Sequence, residues 1–491
     1  MPLLRSRALK GGLLLFFALG ACQPCVAQGE SPAKDESPAK EESPAKDESP
    51  AKDEELVLAP PPDFLSAKPS IPERLLKVKP KGMYPTGFPA IGWDQENGFV
   101  TGAFLQFYDN GDPSDGFFAH SPYRTRVLFG GTFTTEGVVD LVGGLDLPYI
   151  FGSPYRIRMG LRGRRTPIAN YYGVGDEGMG PLRFPGAARS FDKHKDYVSA
   201  LRKSPDGQTT YARYVSWTQT SFGGAITLER DLLGGILRPL VGLRAGYTDV
   251  DDYTGDRVKA DSPVYGLVQA HQISTKLAED AARRRIRGLE GGYDTSFRLG
   301  LTLDTRDFEP DPTSGFLVQA TTEVSTRVLG SEFDYQRVSL SASGYFNLLP
   351  SVTRLVLAAR VAYSMVFGQV PFYELSTLAR NTIDLEGLGG FGTLRGFRRT
   401  RFVGRSLAMG NLELRWSFAE FEYGGDHFRF GLAGFVDAGR AYDAVQADLR
   451  GWRASVGGGV RFAWNLSTVI SLDVAVSDED QIFYVNFGHP F

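Results

Sequence analysis

The residues with the greatest chemical reach in this sequence are an arginine and a few carboxylates set among small and apolar neighbours. Arg395 stands in Gly389-Gly390-Phe391-Gly392-Thr393-Leu394-Arg395-Gly396-Phe397, a glycine-rich stretch that offers one guanidinium. Glu413 lies between Leu412 and Leu414, and Asp437 lies within Phe435-Val436-Asp437-Ala438-Gly439. On a period-two strand, an acid flanked by apolar residues points to the opposite face from them. A guanidinium brought to such acids makes forked, charge-assisted hydrogen bonds. A second cluster is Asp304-Thr305-Arg306-Asp307-Phe308-Glu309-Pro310-Asp311-Pro312-Thr313-Ser314-Gly315-Phe316. Here an acidic turn follows a strand, two prolines stop pairing and Gly315 permits the reversal.

This chemistry holds a structure together; it does not turn over a substrate. The five histidines, His120, His194, His271, His427 and His489, have no ligand spacing, and no G-x-S-x-G or H-E-x-x-H occurs. Asp251-Asp252 lies in loop sequence. Gly173 to Gly178 and Gly387 to Gly392 satisfy G-x-G-x-x-G, but neither sits between a strand and a helix with an acid about twenty residues on, so both read as flexible external loop. No catalytic residue, metal site or cofactor is expected, and an enzyme is not the reading.

The elements that must position these residues follow from composition. The chain has 491 residues with 58 Gly, 34 Phe, 21 Tyr and 2 Cys. Mean hydropathy is −0.19, which excludes a bundle of membrane helices. Residues 1–27 read as a signal peptide: Arg5, Arg7 and Lys10 precede the apolar run Leu13 to Leu19. Cys25-Val26-Ala27 offers a cut before Gln28, and Leu19-Gly20-Ala21-Cys22 offers an acylated Cys22 instead. Residues 28–85 read as a disordered linker. The hexad S-P-A-K-[DE]-E repeats from Ser31, Ser37, Ser43 and Ser49, and a proline-rich stretch continues it. The net charge of −3 divides into +3 for the leader, −6 for Glu30 to Glu55 and zero for the rest, so no basic stripe for nucleic acid exists.

Residues 86–491 alternate apolar with polar or small residues. Leu299, Leu301 and Leu303 oppose Arg298, Gly300, Thr302 and Asp304, and Phe483, Val485, Phe487, His489 and Phe491 share one face. Sixteen such runs are expected, near 86–94, 98–109, 122–134, 137–148, 155–167, 211–229, 236–249, 292–305, 316–329, 334–347, 353–367, 406–419, 427–441, 453–464, 468–477 and 482–491. Their length suits a tilted bilayer crossing better than a globular strand. An even count returns both termini to one side and puts the long connections 168–210, 250–291 and 368–405 on the other. Tyr123, Phe129, Tyr149, Trp217, Tyr247, Tyr345, Trp416, Trp464 and Phe491 near strand ends suit interfacial girdles. Lys276 to Leu289 reads as a short solvated helix on an external loop.

Four motifs, in order, resemble one family. The D-x-R-D…P-T-x-G wording of Asp304, Arg306, Asp307, Pro312 and Gly315 is similar to the signature turn of the BamA/TamA superfamily of outer-membrane assembly barrels, also called bacterial surface antigens. Leu394-Arg395-Gly396-Phe397 resembles that family's sixth-loop motif, Phe435 to Gly439 its F-x-D-x-G strand, and Phe487 with the terminal Phe491 its assembly signal. The resemblance implies an all-β fold, a 16-stranded antiparallel transmembrane β-barrel in the bacterial outer membrane with a periplasmic turn at Asp304–Gly315. It implies that Arg395 reaches Asp437, Glu413 or both inside the lumen, and that the first and last strands pair weakly. Pro85, Gly87, Pro89, Gly92 and Pro490 point the same way, because they thin that ladder. The implied partners are outer-membrane lipid and lipopolysaccharide, protein clients or a periplasmic subunit. The family's periplasmic modules are not found ahead of the barrel, which points to a barrel-only member. The expected function is assistance in inserting or translocating outer-membrane components, with a passive pore or surface-antigen barrel as the alternative.

Overall fold

The computed structural model describes residues 58–94, 98–379, 385–423, 426–464 and 468–491. The leader with Cys22 and Cys25, and the hexad repeats, lie outside the described residues.

Sixteen strands form one antiparallel sheet in chain order, without a crossover. They are β1 (Met83–Asp94), β2 (Gly98–Asp109), β3 (Thr125–Thr134), β4 (Val139–Leu147), β5 (Tyr155–Asn170), β6 (Ser216–Arg230), β7 (Leu237–Asp252) and β8 (Gly292–Asp304). The second half is β9 (Gly315–Ser325), β10 (Tyr335–Asn347), β11 (Arg354–Gly368), β12 (Ser406–Tyr423), β13 (Asp426–Tyr442), β14 (Arg453–Trp464), β15 (Thr468–Val476) and β16 (Gln481–Phe487). All sixteen expected runs are present. Long strands with period-two patterning can satisfy their main chains only through neighbours, and the ladders do so in continuous register, as from Ser296↔Ser325 to Asp304↔Leu317.

The two faces are inverted relative to a water-soluble sheet. On β9, Phe316, Val318 and Val324 are exposed, whereas Gln319, Thr321 and Glu323 are buried. Exposed aliphatic rows with charge buried behind them require a lipid solvent outside and a polar interior. Phe129, Tyr247 and Trp416 face outward as expected of a girdle. Tyr123, Tyr149, Trp217 and Tyr345 do not: they are buried, because partners lie within, as when the Tyr123 hydroxyl donates to Asp146 Oδ2 at 3.0 Å and the Trp217 ring packs edge-on against Phe372.

The distal rim, opposite the two ends of the sheet, carries a folded cap. The described parts of the long connections pack around Tyr171, Trp217, Leu277, Phe333, Phe372 and Val403, where flexible loops were expected. The helix Lys276–Ala282 is not solvated either. Leu277 is buried, Lys276 pairs with Asp280 at 2.6 Å, and the Tyr171 hydroxyl donates to Asp280 at 2.8 Å.

The proximal rim, where β1 begins and β16 ends, is also covered. Residues 58–82, grouped with the disordered linker on composition, pack here. Asp63–Leu65 forms a 3-10 turn and Glu73–Lys77 a helix, with Leu65, Ile71, Leu75 and Leu76 buried. Four large apolar side chains stand among the prolines here, a residue type that the hexad sequence does not contain.

Candidate functional site

Arg395 is delivered into the lumen by the connection between β11 and β12. Gly389 and Gly390 adopt φ of +118° and +93°, and Thr393 closes the loop by donating to Gly389 O at 3.1 Å. Gly396 is required by proximity, since a Cβ there would lie 2.5 Å from Ser455 Cβ and 3.0 Å from Ser477 Cβ. Phe397 is fully buried and stacks edge-on with Phe402 at 5.1 Å.

The wall presents Glu413 on β12, Asp437 on β13 and Asp473 on β15, all without solvent exposure. Arg395 Nε donates to Asp437 Oδ2 at 2.8 Å and Nη2 to Oδ1 at 2.9 Å. Nη1 donates to Glu413 at 2.7 Å and to Asp473 at 3.3 Å. The guanidinium carbon lies 3.3 Å from the Phe435 ring centroid. Arg415 Nε and Arg461 Nη2 donate to Glu413 Oε1 at 3.0 and 3.2 Å, and Arg461 also pairs with Asp473. Three guanidiniums thus face three carboxylates, which balances charge where desolvation is severe. Asn411 Nδ2 adds 2.8 Å to Asp437 Oδ1 and 2.7 Å to Thr393 O. The structure therefore brings Arg395 to both expected acids. Asp473, Arg415, Arg461 and Asn411 were missed, although Asp473 lies between Leu472 and Val474, the same signal that marked Glu413.

The turn from Asp304 to Gly315 is more than a reversal. Arg306 folds back on Asp304 with Nε and Nη2 both at 2.8 Å. Asp307 accepts from the main chains of Phe308, Thr313 and Ser314 at 3.0, 2.8 and 3.1 Å. Pro312 is buried. Gly315 has φ +96°, and a side chain there would collide with Thr305 O. Between them, Glu309 meets Arg156 at 3.2 Å and Arg238 at 3.4 Å. Asp311 meets Arg354 at 2.7 Å, His489 Nε2 at 3.0 Å and also Arg429. The turn is a strut joining β5 and β7 to β11 and β13. Burial alone would raise the Glu309 carboxyl, but the charges of Arg156, Arg238 and Lys68 hold it well below the ordinary carboxylate range.

The C-terminal residues depart from expectation. β16 ends at Phe487, paired with Ile470. Gly488 then takes φ +84°, which breaks the alternation and turns the tail inward. Pro490 lies beyond the ladder and removes no strand donor; its carbonyl accepts from Arg360 Nη1 at 2.9 Å. Phe491 is not the last lipid-facing residue. It packs on Tyr345, Val356 and Ala358, 4.6 and 5.2 Å from the guanidinium carbons of Arg360 and Arg415, where buried cations favour a ring face. Among the described residues, no group of His, Cys, Asp and Glu has the arrangement of a metal site.

An apolar exterior, an ion-paired interior and a loop tethered inside define an outer-membrane β-barrel filled by its own connections. The chain belongs to the Omp85 superfamily, whose domain matches residues 208–491, more than half of its length. It is accordingly a bacterial outer-membrane protein. Residues 62–124 match a second family, described as a domain of unknown function, DUF5982. Similar solved structures include BamA from Haemophilus ducreyi lacking POTRA domains 1–3, at 14% identity and TM-score 0.46, covering 83% of this chain and 70% of that one. CdiB from Escherichia coli follows at 12% identity and TM-score 0.45, covering 83% and 60%. CdiB from Acinetobacter baumannii has 10% identity and TM-score 0.42, covering 82% and 59%. This chain thus spans about 60% of CdiB's length. Compared by sequence with curated proteins, it matches none.

Proposed function

We propose that this barrel assists the insertion or translocation of outer-membrane components through a lateral seam between β1 and β16, with the Arg395 loop holding the lumen filled meanwhile. The single observation that carries this reading is the ladder. Every consecutive pair from β1 to β16 is hydrogen-bonded, yet among the described residues none of these ladders joins β16 to β1. The two strands are nonetheless neighbours: a Cβ on Gly92 would lie 4.0 Å from Val485 Cβ. A strand laddered on one side can accept another strand on the other, so the chemistry favours a client that arrives as a β-strand. A passive pore is the other reading, and the buried ion-paired plug speaks against it.

The test is a disulfide between Gly92→Cys and Val485→Cys, with Cys22 and Cys25 replaced by Ser, in proteoliposomes presented with an unfolded outer-membrane protein. The expected result is client folding that stops on oxidation and returns on reduction. Equal folding in both states would remove the lateral route.

A further inference from the structure

Residues 58–82 do not pack beside the barrel but lie across its proximal rim, touching one strand connection after another. Ala59 N donates to Pro113 O at 3.0 Å and Ile71 N to Ala119 O at 2.7 Å, both on the β2–β3 connection. Lys68 Nζ donates to the Tyr149 hydroxyl, between β4 and β5, at 2.9 Å. Ala67 N donates to Gly234 O, between β6 and β7, at 3.0 Å. Lys68 also lies 3.9 Å from Glu309 of the β8–β9 strut. On the far side, Arg74 reaches Glu420 of β12 at 3.6 Å.

Two apolar pegs seat the segment. Leu65 enters a pocket of Phe117 and Tyr149; Ile71, Leu75 and Leu76 pack on Phe118, Ala119 and Phe308. Phe308 belongs to the strut, so segment and strut form one cover. No strand pairing fixes the segment, and its helical pieces have three and five residues. Such an element is held by side-chain burial and isolated hydrogen bonds, the kind that opens as a local unit. It also runs directly into β1: Gly82 N donates to Gly111 O at 2.8 Å, and Asn110 N donates to Gly82 O at 2.9 Å. Whatever lifts the segment therefore pulls on the first strand of the sheet.

We infer that residues 58–82, seated on the β2–β3 connection, are a releasable stopper of the proximal mouth that also clamps the start of β1. This gives a function to the region of residues 62–124, which holds most of the segment, β1, β2 and the receiving connection. The inference does not rest on the lateral-seam reading, and its test involves no client.

The experiment uses a reporter cysteine inside the lumen. Ser221 lines a cavity of about 590 Å³, so Ser221→Cys, with Cys22 and Cys25 replaced by Ser, reports entry of a bulky hydrophilic maleimide into the detergent-solubilised full chain. Leu75→Asp with Leu76→Asp withdraws one peg, and Leu65→Asp independently withdraws the other. Heat-modifiable electrophoretic mobility identifies the folded barrel in each case, and only that fraction is scored. Labelling at least about tenfold faster in a peg variant than in the parent is the expected result. Chymotryptic cleavage within 58–82 should rise in parallel, as the segment leaves its seat. If both variants shed the segment, shown by that cleavage, while the reporter reacts at the parent rate, the segment is a surface ornament and the stopper is overturned. A parent barrel that labels as fast as free cysteine overturns it equally.

Discussion

Removing the Arg395 side chain would leave Glu413, Asp437 and Asp473 with one guanidinium fewer in a site none of them can leave, and losing one partner of a buried pair costs about 3–5 kcal/mol. Arg395→Ala should therefore lower the unfolding midpoint of the barrel in detergent, with a cost in that range. Arg395→Lys should recover only part of the loss, because an ammonium cannot supply the fork to Asp437 or lie flat on Phe435. A cycle of Arg395→Gln and Asp437→Asn should show a coupling of about 1–3 kcal/mol; purely additive losses would mean the contact is incidental. Gly396→Ala should cost about 1–3 kcal/mol with every charge retained, since the methyl must displace Ser455 or Ser477. This scale was largely legible in the sequence. Alternation gave the faces of Glu413 and Asp437, and a motif brought Arg395 to them. The same alternation carried Phe491 too far, since one glycine at positive φ undoes a period-two argument.

At the scale of elements, the proximal segment shows how burial can be hidden from composition. Prolines at 60, 61, 62, 69, 72 and 80 resemble the spacer, yet Leu65, Ile71, Leu75 and Leu76 fall between them and find partners on connections far away in sequence. Nothing local announces those partners, so only the tertiary structure reveals the packing. Lys79 gives the segment a pH signature. Its ammonium donates to Phe118 O and Ser121 O at 2.7 Å each. Burial lowers its pKa from 10.5 to about 7, with Asp115 opposing only in part. Between those values the released segment binds more protons than the docked one, so docking must strengthen as pH rises through that window and stay level below it. Chymotryptic cleavage within 58–82, corrected against an unfolded peptide, should slow by up to about tenfold per pH unit from pH 7 to 9. Lys79→Met should flatten that profile; an unchanged slope would assign the effect to another group.

At the scale of the whole molecule, the count of sixteen and the side of each long connection were readable because lipid imposes one solvent on every outward face. Pro85, Gly87, Pro89 and Gly92 pointed to a weak seam, but the register of β1 against β16 was not readable, because the two are last to meet in sequence and no local pattern encodes it. The structure locates the consequence. Among the described residues, β8 to β13 are each laddered on both sides, whereas β1 and β16 each show one ladder, from Met83↔Asp109 to Asp94↔Gly98 and from Ile470↔Phe487 to Val476↔Gln481. An edge amide needs only a local opening to exchange, while an amide in the middle of the sheet needs two ladders to part, which approaches global unfolding. Hydrogen exchange of the barrel in micelles should therefore be at least about tenfold faster in β1 and β16 than in β8 to β13. Within β1 the gradient should run along the strand. Residues next to Gly82 are clamped through Asn110 and Gly111 and should exchange more slowly than those near Gly92. Uniform protection around the circumference would mean that the sheet closes as firmly at its ends as anywhere else. The seam would then lose its claim to be the place where this barrel opens.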